Sequence, residues 1–163
     1  MKENKLARDI GKSVEEAVKI IEQYMARYPA VQRFYEKQIA AVQDIGYSFT
    51  VLGRRRFLPE IHSKSNNERW QAERQASNVP IQGSAADVAK MAMVLCDRAG
   101  MMDKYGAHML LQVHDELMFE VPHETTAEAL KEIQFLMEHP FPTDPPLPLA
   151  VSIGKGPNWL EAK

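Results

Sequence analysis

Apolar residues recur at helical spacing through the first third of the chain. Val14, Ala17, Val18, Ile21 and Met25 fall on one stripe, and Ser13 with Glu16 has the spacing of a capping box at its start. Pro29 ends that helix. A second helix begins near Ala30 and is expected to bury Val31, Phe34, Ala41, Val42 and Ile45, with Gly46 just past its end. The period then changes to two. Tyr47–Leu52 alternates and is rich in β-formers, and Gly53 with the arginines behind it turns the chain toward Phe57–Leu58, which predicts a short hairpin. His62–Asn67 reads as a polar loop, with Asn66 or Asn67 as the cap of the next helix. Glu68 to about Arg98 is helical, with a kink expected at Pro80, where a hydrogen bond is lost and the ring clashes one turn back. Met109–Val113 and Leu117–Val121 predict strands around a short turn. Thr125 and Glu128 form a second capping box, opening a helix that carries Leu130, Ile133, Leu136 and Met137. A proline-rich connector, His139–Pro148, leads to a last strand over Leu149–Ile153 and a tail that mixes loop with a fragment of helix. No internal repeat and no obvious domain boundary interrupts the pattern.

A chain of 163 residues with 45% hydrophobic and 26% charged content can bury a sizeable core and is neither disordered nor fibrous. No apolar run approaches the eighteen or so residues of a membrane span, and the N-terminal MKENKLARDIGK has no apolar region of the signal-peptide kind. The single cysteine, Cys96, sits in the apolar run Met91–Cys96 and reads as a small buried thiol in a reducing, intracellular setting. Cytoplasm or nucleoid fits, with a virus-encoded origin left open.

The net charge of −2 is mildly against nucleic-acid binding, but its distribution is uneven. Gly53–Arg74 carries a net of +3 and Met109–Glu138 a net of −6. A basic segment for phosphates beside an acidic one for cations would suit a metal-dependent nucleic-acid enzyme, and solvated helix faces would give the same balance.

Three constellations carry chemistry. In the hairpin Leu110–Val121, Asp115 and Glu116 sit at or beside a turn that begins with His114. His-Asp is a poor pair for a tight turn that needs positive φ, and strained turns cluster at functional sites. Carboxylate oxygens suit Mg²⁺, which takes one or two of them and completes its shell with water and phosphate; a solvated surface turn remains the alternative. Arg74, Asn78 and Gln82 follow at i, i+4 and i+8 on one helix face, with Gln71 nearby. All donate hydrogen bonds, and in the minor groove every base pair offers an acceptor, so donors there read pairing geometry without reading sequence. A solvent-facing polar stripe would look the same. Arg54, Arg55 and Arg56 after Gly53 form a compact basic turn suited to backbone phosphates. The histidines and cysteine show no zinc spacing, and no glycine-rich phosphate loop or nucleophile elbow is present.

Taken in order, LGRRRFLPEI, AERQASNVPIQGSAADVAKMAM, MLLQVHDELMFEVP and GKGPNW resemble the final stretch of family A DNA polymerases of the bacterial polymerase I type, from the end of the fingers through the palm. The similarity covers nearly the whole chain, and QVHDELMFEVP with NVPIQGSAAD upstream is a highly specific combination. The resemblance implies an α+β fold, part of a palm with an antiparallel sheet backed by helices, with residues to about 66 as the end of the fingers and about 67–163 as palm. It implies that Asp115 is the metal-binding aspartate of motif C, Glu116 its neighbouring carboxylate, and that His114 contacts the primer terminus. Arg74, Asn78 and Gln82 fall where the family contacts the primer–template duplex, Gln82 on the minor-groove side, and Arg54–Arg56 lie near the template path. Two Mg²⁺ ions would serve transfer from a dNTP to a primer 3′-hydroxyl, with only half of their site supplied here.

The departures from the family pattern are specific. Motif A with the other main metal-ligating aspartate, the fingers helix with its nucleotide-binding lysine and tyrosine, the thumb and the exonuclease domains are absent. Ser77 stands where something more apolar is usual, and Ser152 where an acidic residue is common. Loss of the motif A strand would leave a sheet edge open to pairing. Three readings follow: part of a polymerase, truncated or split, whose partner chain supplies motifs A and B; a non-catalytic duplex-binding module; and a decayed product without function.

Overall fold

The structure, a computed structural model, describes residues 3–142 and 148–162, which form two compact units, one ending at Ile81 and the other beginning at Gln82.

The first unit opens with three helices: α1 (Glu3–Asp9), α2 (Val14–Arg27) and α3 (Pro29–Ile45). The capping box at the head of α2 forms, with the Glu16 amide donating to Ser13 Oγ at 3.2 Å and the Ser13 amide donating to Glu16 Oε2 at 3.1 Å. Pro29 stands in the first turn of α3, where its missing N–H costs nothing. Gly46 ends α3 in the left-handed region at φ 77°, its N–H donating to Val42 O. Strands β1 (Tyr47–Phe49) and β2 (Arg55–Phe57) then pair antiparallel, Tyr47 opposite Phe57. A 3₁₀ turn over Pro59–His62 leads to α4 (Asn66–Asn78), whose N-cap position is held by Ser65 and not by either asparagine. The core is Val42, Leu58, Ile61, Ala72 and Ala76. Burying Leu58 and Ile61 stabilises by roughly 1.5–3 kcal/mol each, and the alanines let α4 approach closely. Only part of the α3 stripe is covered: Val42 is buried, while Ala41 and Ile45 are exposed.

The expected kink at Pro80 is a π-helical turn, Val79–Gly83, between α4 and α5 (Ser84–Arg98). A proline cannot donate back along the helix, and widening the turn relieves its clash with the preceding carbonyl.

In the second unit α5 is followed by a short α6 (Met101–Tyr105), the hairpin β3 (His108–Val113) and β4 (Glu116–Glu120), a 3₁₀ turn at His123–Thr125, and α7 (Thr126–Glu138). Cys96, Met101, Ala107 and Ile133 form its core, with Met109, Phe119, Val121 and Leu136 packed against them. A β-bulge interrupts the ladder: Met109 faces Phe119 and Leu111 faces Met118, so Leu110 is the extra residue. Burial and the Glu132 carboxylate push the Cys96 thiol up to about 11. Glu132 on α7 accepts from Lys104 Nζ and Tyr105 Oη, both at 2.8 Å, which ties α6 to α7. Those bonds, the one from Lys104 first, hold the Glu132 carboxyl below its ordinary value.

Two expectations fail here. Thr125 does not cap α7 with Glu128; its side chain accepts nothing from the first turn, and its hydroxyl donates to Tyr105 O at 2.7 Å. Leu149–Ile153 is not a strand. Among the described residues it has no ladder partner, and Val151 bonds to side chains of α7, its N–H donating to Glu138 Oε1 and its carbonyl accepting from Gln134 Nε2. Residues 143–147 of the expected connector lie outside the described residues.

Candidate functional site

The β3–β4 hairpin reverses in two residues. Val113 pairs with Glu116, leaving His114 and Asp115 as the loop. His114 has φ 54° and is the one non-glycine residue with positive φ among those described. That conformation, at the first central position of the turn, favours glycine; for an L-residue it costs about 1–2 kcal/mol. The loop is braced by Gln112, whose Nε2 donates to His114 O at 2.9 Å. His114, Asp115 and Glu116 are all exposed, so a strained but braced turn presents an imidazole and two carboxylates to solvent.

As a donor set, two adjacent carboxylates fit Mg²⁺ in part. Among the described residues no group of three or more His, Cys, Asp or Glu gathers to hold a metal. An ion here would draw its remaining ligands from water, substrate phosphate or other protein residues, as Mg²⁺ commonly does.

In the first unit the basic turn meets α4. The loop from Thr50 to Arg54 is closed by Thr50 Oγ1, which accepts from the Arg54 amide at 3.1 Å, and by Gly53 at φ 77°. Arg55 stacks over the Tyr47 ring at 5.6 Å from its centroid, and Arg56 Nη2 donates to Gln75 Oε1 at 2.9 Å. All three arginines are exposed. Between β2 and α4 lies a polar cleft of about 270 Å³ that includes Arg56, Glu60, Glu68, Gln71 and Gln75.

Arg74 and Asn78 lie one turn apart on α4, and both are exposed. Gln82 falls inside the π turn and belongs with the second unit. The i+4 count that put all three on one α-helical face therefore stops at Asn78. Ser77 is buried with its hydroxyl donating to Glu73 O at 3.2 Å, so the polar group is satisfied without a distant partner.

Three residues escaped the sequence reading. Gln112 braces the turn, and Gln75 anchors Arg56. Trp70 lies under Arg74, whose guanidinium carbon is 5.3 Å from the ring centroid. Its signal was available: Trp70 is four residues before Arg74 on one helix.

Residues 1–161 match the family described as DNA polymerase family A. The chain is 42% identical over all its length to the thermostable DNA polymerase I of Thermus filiformis, of which it covers 19%. It is 40% identical over all its length to DNA polymerase I of Deinococcus radiodurans, of which it covers 17%. The POL domain of Pol1 from M. smegmatis, solved in complex with DNA primer-template and dNTP, is similar at TM-score 0.89 and 42% identity, over 96% of this chain and 27% of that one. The chain thus spans under a fifth of the length of these curated relatives.

Proposed function

The chain belongs to DNA polymerase family A, and we propose that it supplies the motif C part of a DNA-directed DNA polymerase site together with a duplex-binding surface. Its substrates are primer–template DNA and a dNTP. Asp115 is the residue that holds Mg²⁺, through a carboxylate oxygen, with Glu116 as the neighbouring carboxylate. The metal, when bound, supplies charge stabilisation at the oxygens of the transferred phosphoryl group. His114 contacts the primer terminus. Arg74, Asn78 and Gln82 donate to minor-groove acceptors that are common to all base pairs, and Arg54, Arg55 and Arg56 engage backbone phosphates along the template path. Residues to about 66 are the end of the fingers and the rest is palm.

Motif A and the nucleotide-binding fingers helix are not among these 163 residues. The site is complete only when they are supplied by the same polypeptide or by a partner, in an intracellular setting. The 163 residues alone are expected to be inactive, because one aspartate cannot fix two metals.

The observation that supports this reading is the turn itself. An exposed His-Asp pair, with His114 at φ 54°, stands where glycine would be easier, and with Glu116 it presents two hard carboxylates. Primer extension with Mg²⁺ or Mn²⁺ tests it. Extension should require the motif A and fingers residues, and Asp115→Asn should then lower the rate by orders of magnitude with duplex affinity little changed. Equal activity of the Asn variant would overturn the assignment.

A further inference from the structure

We infer that Trp70 is a positioning residue for Arg74, an inference that rests on the duplex-binding reading of α4. Both residues lie within the regular part of α4, one turn apart, with the guanidinium carbon 5.3 Å from the indole centroid, inside the range of a cation–π contact. Trp70 is 39% exposed, so the pair sits at the surface where a ligand can reach it.

The choice of partner matters chemically. A guanidinium has five N–H donors in its plane. A carboxylate partner would take two of them and neutralise the charge. A ring face takes none: it holds the plane by stacking and leaves the donors directed outward. Among the described residues the Arg74 side chain makes no hydrogen bond or ion pair, although Glu73 is its neighbour in sequence. The other arginine of this surface is held differently, since Arg69 Nη2 donates to Asn66 Oδ1 at 2.7 Å. Trp70, Arg69, Asn66, Asn67 and Glu73 line a shallow depression of about 400 Å³ on this surface. An exposed arginine loses much rotamer freedom when it docks on an acceptor. Stacking in the free protein removes part of that loss beforehand, so Arg74 meets the duplex already restrained.

The test is a double-mutant cycle for matched primer–template affinity, measured in the intact polypeptide that carries these residues. The parent, Trp70→Ala, Arg74→Ala and the double variant are compared at one salt concentration, with Trp70→Phe as the conservative variant and thermal melts as a check on folding. Trp70→Ala should weaken binding about two- to fivefold, the range of an exposed cation–π contact. In the Arg74→Ala background the same change should do nothing, and Trp70→Phe should keep most of the affinity. The Arg74 Nε–H resonance of the free protein should also carry an upfield ring-current shift that Trp70→Ala abolishes. The inference is overturned if Trp70→Ala is without effect, if it weakens binding equally in both backgrounds, or if the ring-current shift is missing. If Arg74→Ala itself leaves affinity unchanged, the duplex reading of α4 fails and this inference falls with it.

Discussion

The hairpins β1–β2 and β3–β4 both reverse the chain within a few residues, and only the first gives its left-handed position to a residue that favours it. The loop of β1–β2 puts glycine at its left-handed position, Gly53 at φ 77°, and closes with a threonine hydroxyl. The hairpin is fastened to α4 by Ser48, a buried residue whose hydroxyl donates to Ala76 O at 3.0 Å. The β3–β4 turn puts a histidine in the left-handed region and needs Gln112 to brace it. Where local rules are obeyed, the residues serve the fold. Where a rule is broken and then supported by a neighbour, the strain points to a role for the side chains the turn presents.

The largest effects that would sharpen this contrast concern binding by the two surfaces. Gln82→Ala should weaken binding to a matched primer–template by roughly 1–3 kcal/mol, if it leaves a desolvated acceptor unpaired. Arg54→Ala on the first hairpin should instead reduce the slope of log affinity against log salt by about 1. Titrations over a salt series, with matched and mismatched primer ends, check both. A Gln82→Ala variant that altered only the salt slope would make its contact another electrostatic one.

A second pair of substitutions addresses the turns directly. A Cβ on Gly53 would meet nothing within 4 Å, so Gly53→Ala isolates the backbone term and should destabilise by about 1–2 kcal/mol. His114→Gly should do the opposite, stabilising by up to about 1 kcal/mol while impairing primer extension. Chemical denaturation beside an extension assay reads both quantities. If His114→Gly gained no stability, the turn would not be strained and the contrast would fail.

The smallest effect asks whether the second hairpin rests on packing alone. Glu132 is lowered from its ordinary 4.5, chiefly by the bond from Lys104, while Tyr105 is raised from 10.0 and Lys104 from 10.5 by their bonds to Glu132. A lowered carboxyl stabilises above its ordinary value and loses that contribution as pH falls through the folded value. The raised groups stabilise below theirs and lose it as pH rises. The trio therefore contributes fully between pH 4.5 and 10.0 and fades on both sides. All three groups reach solvent, which keeps the effect small. Glu132→Gln should lower the melting temperature slightly within that window and not at the extremes; a uniform shift at every pH would show that packing, not charge, was disturbed.

Most of the helices were legible because their signals are local. Ser13 and Glu16, Pro29 and Gly46 each act within one turn, and the structure has them where spacing puts them. What was misread depends on partners far along the chain. Thr125 has the spacing of a cap but bonds to Tyr105, twenty residues away. Leu149–Ile153 has a strand's composition, yet a strand exists only with a neighbour to pair with. The π turn after Asn78 was foreseen as a kink but not as a change of period, since Pro80 announces a lost hydrogen bond without saying how the helix absorbs it. At the candidate site, the His-Asp pair announced strain from composition alone, and His114 carries it. Gln112 and Trp70 were missed because they act on another residue's orientation, and orientation is invisible until neighbours are in place.

The bulge at Leu110 can be seen as a problem of heritable length. Removing that one residue would leave Met109 opposite Phe119 and Leu111 opposite Met118, a ladder with every rung intact. Pairing therefore exerts no pull toward keeping it. A bulge does bend and twist its strand, and so sets the direction in which the end of the hairpin points. A single-codon deletion here would keep the pairs of the ladder while changing the direction in which the loop of His114 and Asp115 points.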